Sequence, residues 1–160
     1  MQIREAAADD WPRIWPFWHR VVSAGETYTW ARDTSEEAAR ALWTSPPKRV
    51  YVVEDETGTL VASAYLTPNY GGPAARVANA GFMVDPDHAG LGYGRALAEH
   101  VLTAAKAHGF EAMVFNSVVE TNPAVGLWKS LGFTVLGTVP EAFDHPRHGR
   151  VGLHIMHKTL

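Results

Sequence analysis

The chain has no cysteine among its 160 residues, which excludes disulfide bonds, thiolate metal ligands and a cysteine nucleophile. It has no surplus of basic residues, because 14 Lys and Arg stand against 17 Asp and Glu and the formal net charge is −3. Nucleic acid is therefore not an expected partner. No apolar run is long enough for a membrane span and no secretory signal is visible, so we expect a cytoplasmic protein with no membrane partner.

The residues that are abundant describe a compact folded protein. Apolar side chains make up 46% of the sequence and charged side chains 19%, a balance typical of a globule with a sizeable core. The length suits one domain that spans residues 1–160. His145 and His148 lie three residues apart, but no further His or acid follows at a suitable spacing, so no metal site is expected.

Alternating and helical patterns of apolar residues predict strands and helices in the order β α α β β β α β α β β, a mixed α/β domain. They span residues 2–6, 8–22, 34–43, 49–55, 60–67, 75–84, 95–108, 112–118, 122–131, 133–139 and 151–158. Pro16 predicts a kink in the first helix, or its division into two short ones. A polar loop carrying residues 143–148 is expected between the last two strands.

The most informative segment is the glycine-rich stretch Asp85–Arg95, which follows a predicted strand and opens a predicted helix. Gly90, Gly92 and Gly94, at alternate positions, allow the backbone to turn tightly and to approach a ligand closely. The first amides of a helix have no partner within the helix. Together with the helix dipole, they form an anion site that suits a pyrophosphate.

Other interpretations of this stretch compete with a pyrophosphate site. A Walker A loop would require Gly-Lys-Ser/Thr at its end, whereas Gly94-Arg95-Ala96 supplies neither the Lys nor the hydroxyl. A dinucleotide-binding fingerprint would require Gly-x-Gly-x-x-Gly near the start of the domain, but the spacing here is Gly-x-Gly-x-Gly beyond mid-chain. A glycine-rich turn that binds no ligand stays open from these residues alone.

Residues 85–95, in their setting, resemble the acetyl-CoA site of GCN5-related N-acetyltransferases, whose signature is Gln/Arg-x-x-Gly-x-Gly/Ala. Gly92 and Gly94 match its last two positions, while Ala89 stands where Gln or Arg is usual. Residues 122–133 resemble the family's Asn-x-x-Ala-x-x-Leu-Tyr-x-x-x-Gly-Phe helix, with one residue fewer between Asn122 and Ala124. Trp128 replaces the Tyr that is thought to protonate the departing thiolate in many members, and an indole N–H is not a usable acid.

The resemblance implies the α/β fold of the GNAT type: a mixed, mostly antiparallel central sheet of six to seven strands, flanked by about four helices and splayed between the fourth and fifth strands. It implies acetyl-CoA as co-substrate, with pantetheine pairing along residues 81–84 and the developing oxyanion meeting a backbone amide there. The residues expected to bind the coenzyme are Phe82, Met83, Val84, Ala89, Gly90, Leu91, Gly92, Tyr93, Gly94, Arg95 and Asn122.

A narrower resemblance is carried by Asn79, Asn116 and Asn122. They recur at similar spacing in a subgroup that includes the yeast acetyltransferase conferring resistance to proline analogues such as azetidine-2-carboxylate, and the chain also resembles bacterial phosphinothricin-acetyltransferase-like proteins. The resemblance implies that Asn79 and Asn116 lie at the substrate and serve catalysis by orienting it, since amides do not titrate usefully. The side chains expected to bind substrate are Glu26, Tyr28, Trp30, Tyr65, Val118 and His145.

Acetylation of an amine also requires a proton acceptor, for which Glu26, Asp144 and His145 are candidates. A water chain held by Asn79 and Asn116 is another route. The predicted function is thus an acetyl-CoA-dependent N-acetyltransferase for a small-molecule amine, an amino acid or amino-acid analogue, with a homodimer as one assembly that the family allows. A non-catalytic acyl-CoA-binding sensor is the competing class, and an antibiotic, a polyamine or a protein N-terminus are competing substrates.

Overall fold

A computed structural model describes all 160 residues, which form seven strands and four helices. The strands are β1 (Gln2–Glu5), β2 (Arg49–Glu54), β3 (Leu60–Pro68), β4 (Val77–Val84), β5 (Ala112–Val119), β6 (Thr134–His145) and β7 (Gly149–Thr159). The helices are α1 (Trp11–Ala24), α2 (Glu36–Thr44), α3 (Tyr93–Ala107) and α4 (Ala124–Ser130). No helix combines the length and the apolar character that crossing a membrane would require.

The strands form one sheet in the order β1-β2-β3-β4-β5-β7-β6. All neighbours run antiparallel except β4 and β5, which are parallel. Side chains alternate between the two faces of the sheet, so β2 directs Val52 to one apolar cluster and Val53 to the other. The larger cluster lies under α3 and α4, and the smaller one lies under α1 and α2. The predicted mixed, mostly antiparallel sheet with four helices is confirmed.

The sheet is splayed between β4 and β5, as predicted. The two strands pair only at Val77 with Ala112 and at Ala78 with Met113. Beyond this point β4 continues to pair with β3, while β5 continues to pair with β7. The gap between β4 and β5 is therefore lined by strand edges that no neighbouring strand covers.

Two details of local structure differ from the expectations. Helix α1 is continuous through Pro16, so its division into two short helices is wrong, while a kink at Pro16 stays a prediction. Pro16 lies on the exposed side of the helix, where the carbonyl of Pro12, which has lost its helical donor, can reach water. The expected polar loop is mostly strand, because β6 reaches His145 and pairs with β7 from Phe143 onward. An irregularity in the pairing after Val139 separates this hairpin tip from the rest of β6, and polar side chains dominate the tip because both of its faces are largely exposed.

Trp43 is the centre of the aromatic cluster under α1 and α2. It is fully buried, and the rings of Tyr28, Trp30 and Tyr65 pack edge-on against it at centroid distances of 6.3, 6.1 and 4.9 Å. Its indole N–H donates to the buried Ser63 hydroxyl at 3.0 Å, and that hydroxyl donates to a backbone carbonyl of β2 at 2.9 Å. Ser63 thus fixes the ring on which three other aromatic side chains pack.

Ser63→Ala should lower the free energy of unfolding by about 1–3 kcal/mol, because the buried indole N–H of Trp43 would lose its acceptor. Ser45→Ala, at the exposed C-terminal end of α2, is the matched control and should change stability by less than about 0.5 kcal/mol. Urea unfolding measures both variants. Equal stability of the Ser63→Ala variant and the unsubstituted protein would contradict this role for the hydroxyl.

Candidate active site

A cavity of about 840 Å³ lies where β4 and β5 part. Most of the side chains and glycines predicted to bind substrate or coenzyme line it: Glu26, Tyr28, Trp30, Tyr65, Asn79, Phe82, Met83, Val84, Ala89, Gly90, Gly92, Tyr93, Gly94, Arg95, Asn116, Val118 and Asn122. Two predicted residues do not line it: Leu91, which is 66% exposed, and His145, which lies in the β6–β7 hairpin. Thr27 and Phe115 also line the cavity, although no sequence pattern marked them, and so does Leu127 of the motif in residues 122–133.

The glycine-rich turn forms one end of the cavity, before α3. Gly90 and Gly92 have φ angles of 76° and 88°, a left-handed conformation that residues with a Cβ rarely adopt. A Cβ at either position would meet no protein atom within 4 Å. The backbone conformation of the turn therefore requires glycine here, while the space beside it stays open.

The N–H groups of residues 90–95 have no hydrogen-bond acceptor within the protein, and no side chain caps α3. By contrast, the N–H groups of His88 and Ala89 donate to the carbonyls of Asp85 and Pro86 in the preceding 3₁₀ turn. A run of free amides at the positive end of a 15-residue helix is an anion site. Its position at the cavity fits a pyrophosphate.

The two acidic side chains beside this turn, Asp85 and Asp87, both contact a guanidinium group. Arg20 of α1 contacts Asp85 and Asp87 at 3.3 and 2.9 Å, and its hydrogen bond holds the pKa of Asp87 below the usual value. Arg95 lines the cavity and donates to the Ser130 hydroxyl of α4 at 2.8 Å. One guanidinium group therefore stands beside the free amides, which favours an anionic ligand.

Helix α4 gives the cavity an apolar wall. Trp128 is 7% exposed, and its ring lies 4.9 Å from that of Phe82 and 4.8 Å from that of Phe115. It supplies packing rather than an acidic proton. Asn122 precedes the helix and accepts a hydrogen bond from the N–H of Ala124 at 2.9 Å, while its own NH₂ group makes no hydrogen bond within the protein. That group stays available to a ligand in the cavity.

The free edge of β4 faces the hydroxyl group of Tyr28. The hydroxyl donates to the carbonyl of Phe82 at 2.7 Å and accepts from its N–H at 2.9 Å. Because Phe82 directs these groups away from β3, antiparallel alternation directs those of Ala80 and Val84 the same way. Burial raises the pKa of Tyr28, which keeps it a neutral phenol. The strand predicted to supply an oxyanion amide thus has one amide, that of Phe82, already bound to a side chain.

Tyr65 crosses from β3 over β4 to reach Asn79. Its hydroxyl donates to Asn79 Oδ1 at 3.3 Å, and Asn79 Nδ2 donates to the carbonyl of Val114 on β5 at 2.9 Å. A Cβ on Gly81 would overlap the Tyr65 ring, so glycine is what lets the ring cross the strand. Burial raises the pKa of Tyr65. Asn79 therefore bridges the gap directly beyond the last paired residues of β4 and β5.

Asn116 lies on a bulge of β5. The strand pairs regularly with β7 as far as Phe115 and resumes at Val118, and the two residues between them oppose a single residue of β7. Bulges of this kind redirect side chains, and this one brings Asn116 to the cavity. There its amide exchanges two hydrogen bonds with Asn69, at 2.7 and 3.1 Å. No sequence pattern marked Asn69.

The three proposed proton acceptors differ in position. Glu26 is the one carboxylate in the cavity lining, and its Oε1 lies 3.2 Å from Nη1 of Arg147. The side chain of Asp144 is 92% exposed, outside the cavity. His145 Nδ1 accepts hydrogen bonds from the N–H groups of Arg147 and His148, and burial lowers its pKa. His145 therefore cannot accept a proton at Nδ1 without losing both bonds, and its roles in substrate binding and proton transfer stay predictions.

Comparison with known proteins identifies this combination of glycine turn and splayed sheet. The sequence model of the acetyltransferase (GNAT) family matches residues 3–133. The chain belongs to this family. The acetyltransferase is 52% identical to a GCN5-related N-acetyltransferase from Kribbella flavida, with a TM-score of 0.95 over 99% of this chain and 97% of that one.

Two further relatives of the acetyltransferase are proteins with a named activity. A phosphinothricin acetyltransferase from Sinorhizobium meliloti, solved with acetyl-CoA, is 25% identical, with a TM-score of 0.85 over 99% of this chain and 88% of that one. The N-acetyltransferase aca1 of Schizosaccharomyces pombe is 40% identical over 85 residues, which are 52% of this chain and 41% of that protein. The match thus spans less than half the length of this curated relative. The acetyltransferase uses acetyl-CoA as its co-substrate.

Gly92→Val should weaken acetyl-CoA binding by at least about tenfold, because a branched side chain at a φ of 88° would shift the turn and its free amides. Gly109→Val is the matched control, since this glycine follows the other end of α3 with a φ of 87° and has open space around it. The control should lose stability and keep its coenzyme affinity. Calorimetric titration measures both, and an unchanged affinity of the Gly92→Val variant would contradict this position for the coenzyme.

Proposed function

We propose that this acetyltransferase transfers an acetyl group to the amine of a small molecule, an amino acid or an amino-acid analogue such as azetidine-2-carboxylate or another proline analogue. The observation that carries the proposal is one continuous cavity, which runs from the glycine turn through the gap between β4 and β5 to a set of aromatic and amide side chains. A cavity of this shape allows a coenzyme and a small acceptor to meet inside the sheet.

The coenzyme end of the cavity is lined by residues 90–95, with Asn122 and the wall formed by Trp128 beside them. In the proposal the backbone amides of residues 90–95 and Arg95 bind the pyrophosphate, and the free N–H groups of Asn122 donate hydrogen bonds to the coenzyme. When bound, the coenzyme supplies an acetyl group activated as a thioester. Because its thiol has a pKa near that of Cys, roughly 8.5, transfer does not depend on an acidic side chain at position 128.

The acceptor end of the cavity has to accept the proton that the amine loses. An alkylamine with a pKa near 10 is neutral in only about one molecule in a thousand at pH 7, and reaching that form costs roughly 4 kcal/mol. Glu26 is the carboxylate within reach of this end of the cavity, and we assign it the role of taking that proton, directly or through a water molecule. Asn79 and Asn116 orient the acceptor by hydrogen bonds.

The side chains of the acceptor end favour an amino acid over a polycation. A polyamine or an aminoglycoside carries several positive charges and calls for several acids, but Glu26 is the one carboxylate in the lining and it already contacts Arg147. The rings of Tyr28, Trp30 and Tyr65 form apolar walls that suit a compact ring such as that of a proline analogue.

An acyl-CoA-binding sensor without turnover is the second candidate, favoured by the replacement of the usual Tyr with Trp128. It would use the same coenzyme end and would require nothing of Glu26 or the two asparagines. A single domain, a cytoplasmic location and a homodimer stay predictions.

The test is thiol release from acetyl-CoA with a panel of amines: azetidine-2-carboxylate, proline, phosphinothricin, spermidine, an aminoglycoside and a peptide with a free N-terminus. Saturable release with the cyclic amino acids supports the proposal. Release with spermidine or the aminoglycoside alone would contradict an amino-acid substrate and indicate a polycationic amine instead. Coenzyme binding without release on any amine would favour the sensor.

Glu26→Gln should lower kcat/KM for the amine on the order of 100-fold near pH 7, because the proton acceptor is lost. The deficit should shrink as the pH rises toward the pKa of the amine, near 10, where neutral amine becomes abundant. Asp144→Asn removes an exposed carboxylate outside the cavity and should leave the rate unchanged. If the Glu26→Gln variant kept its full rate at pH 7, water rather than Glu26 would accept the proton.

A further inference from the structure

Asn116, which lines the cavity, shares a pair of side-chain amide hydrogen bonds with Asn69, which lies outside the lining, and the pair joins two segments distant in sequence. Asn69 directly follows β3, and Asn116 lies on the bulge of β5, 47 residues later. Asn69 Nδ2 donates to Asn116 Oδ1 at 3.1 Å, and Asn116 Nδ2 donates to Asn69 Oδ1 at 2.7 Å. Each amide thus uses one N–H group and its carbonyl oxygen on the other and keeps one N–H group.

The two partners differ in how firmly they are held. The backbone N–H of Asn69 donates to the carbonyl of Val77 at 2.8 Å, and the residue before Asn69 is Pro68, whose ring fixes its own φ angle. Asn116 is exposed, it lies where β5 leaves its register with β7, and its side chain makes no other hydrogen bond within the protein. Without Asn69, the Asn116 side chain would be free to exchange among rotamers.

We propose that Asn69 is a positioning residue for Asn116, holding its carboxamide so that the remaining N–H keeps one orientation at the cavity. This inference rests on the proposed function, in which Asn116 contacts the acceptor substrate. An amide N–H can only donate, so the group that it recognises is a hydrogen-bond acceptor, such as the carboxylate of an amino-acid substrate. A residue held in advance loses less entropy on binding than a mobile one.

A merely structural role, in which Asn69 ties the β3–β4 connection to β5, makes a different prediction. The two hydrogen bonds are themselves that tie, so in either role Asn69→Ala has no further effect once Asn116 has lost its amide, and the double-mutant cycle shows only that Asn69 acts through Asn116. A structural loss would lower the free energy of unfolding and would also change kcat or the KM for acetyl-CoA, because it acts on the whole connection. A positioning loss is confined to the KM for the amine, and this confinement separates the two roles.

The experiment measures kcat and KM for the amine and for acetyl-CoA in the Asn69→Ala, Asn116→Ala and double variants of the full chain. Asn69→Ala should raise the KM for the amine roughly three- to tenfold and leave kcat and the KM for acetyl-CoA unchanged. In the Asn116→Ala background it should have no further effect. Arg76→Ala, exposed on the same connection, is the control and should behave like the unsubstituted protein.

A loss by the same factor in both backgrounds, or no loss at all, would overturn the inference. A second measurement does not depend on turnover: the side-chain amide signals of Asn116 in ¹⁵N-labelled protein should move when Asn69 is replaced by Ala and stay in place in the Arg76→Ala control. Unmoved signals would overturn the inference whatever the activity. If no amine is acetylated by the unsubstituted protein while the Asn116 signals do move, the proposed function fails and the amide pair stands.

Discussion

The parting of β4 and β5 is the constraint on which the rest of the structure depends. Parallel pairing ends at Ala78 and Met113, and beyond it the backbone groups on one edge of β4 have no strand partner. A buried polar group without a partner costs about 1–3 kcal/mol, so such an edge needs substitutes. Two side chains act in this way, one on each edge of the gap: the Tyr28 hydroxyl binds both backbone groups of Phe82 on β4, and Asn79 donates to the carbonyl of Val114 on β5. The gap between β4 and β5 can therefore stay open with no further strand inserted in it.

Those substitutes are held by the aromatic residues of the N-terminal part of the chain. The ring of Tyr28 stacks on Trp30 at 4.9 Å, and Trp30 stacks on Trp18 at 5.5 Å. Trp43 packs edge-on against Tyr28, Trp30 and Tyr65 and is itself fixed by a buried hydroxyl. Stacked and edge-on aromatic rings have few alternative arrangements at this density. The loop between α1 and α2 thus presents a rigid wall to the acceptor end of the cavity.

Features that depend on local sequence could be predicted, whereas those that depend on distant contacts could not. The order of strands and helices and the glycine turn before α3 follow from periodicity and backbone preference over a few residues, and both are present. The pairing of Asn69 with Asn116 and the contact of Glu26 with Arg147 join residues 47 and more positions apart, so no local pattern announces them. A loop was wrongly expected at His145, where the structure has a paired hairpin, because a polar hairpin tip resembles a loop in sequence.

The central claim is that the unbonded amides before α3 bind the diphosphate of acetyl-CoA and lead the acetyl group into the gap beside β4. The most direct measurement is a titration of ¹⁵N-labelled protein with acetyl-CoA, followed by the backbone amide signals. The largest shifts are expected at residues 90–95, with smaller ones at Phe82 and Val84 on the edge of β4. Saturable binding that leaves the signals of residues 90–95 unmoved would contradict the claim.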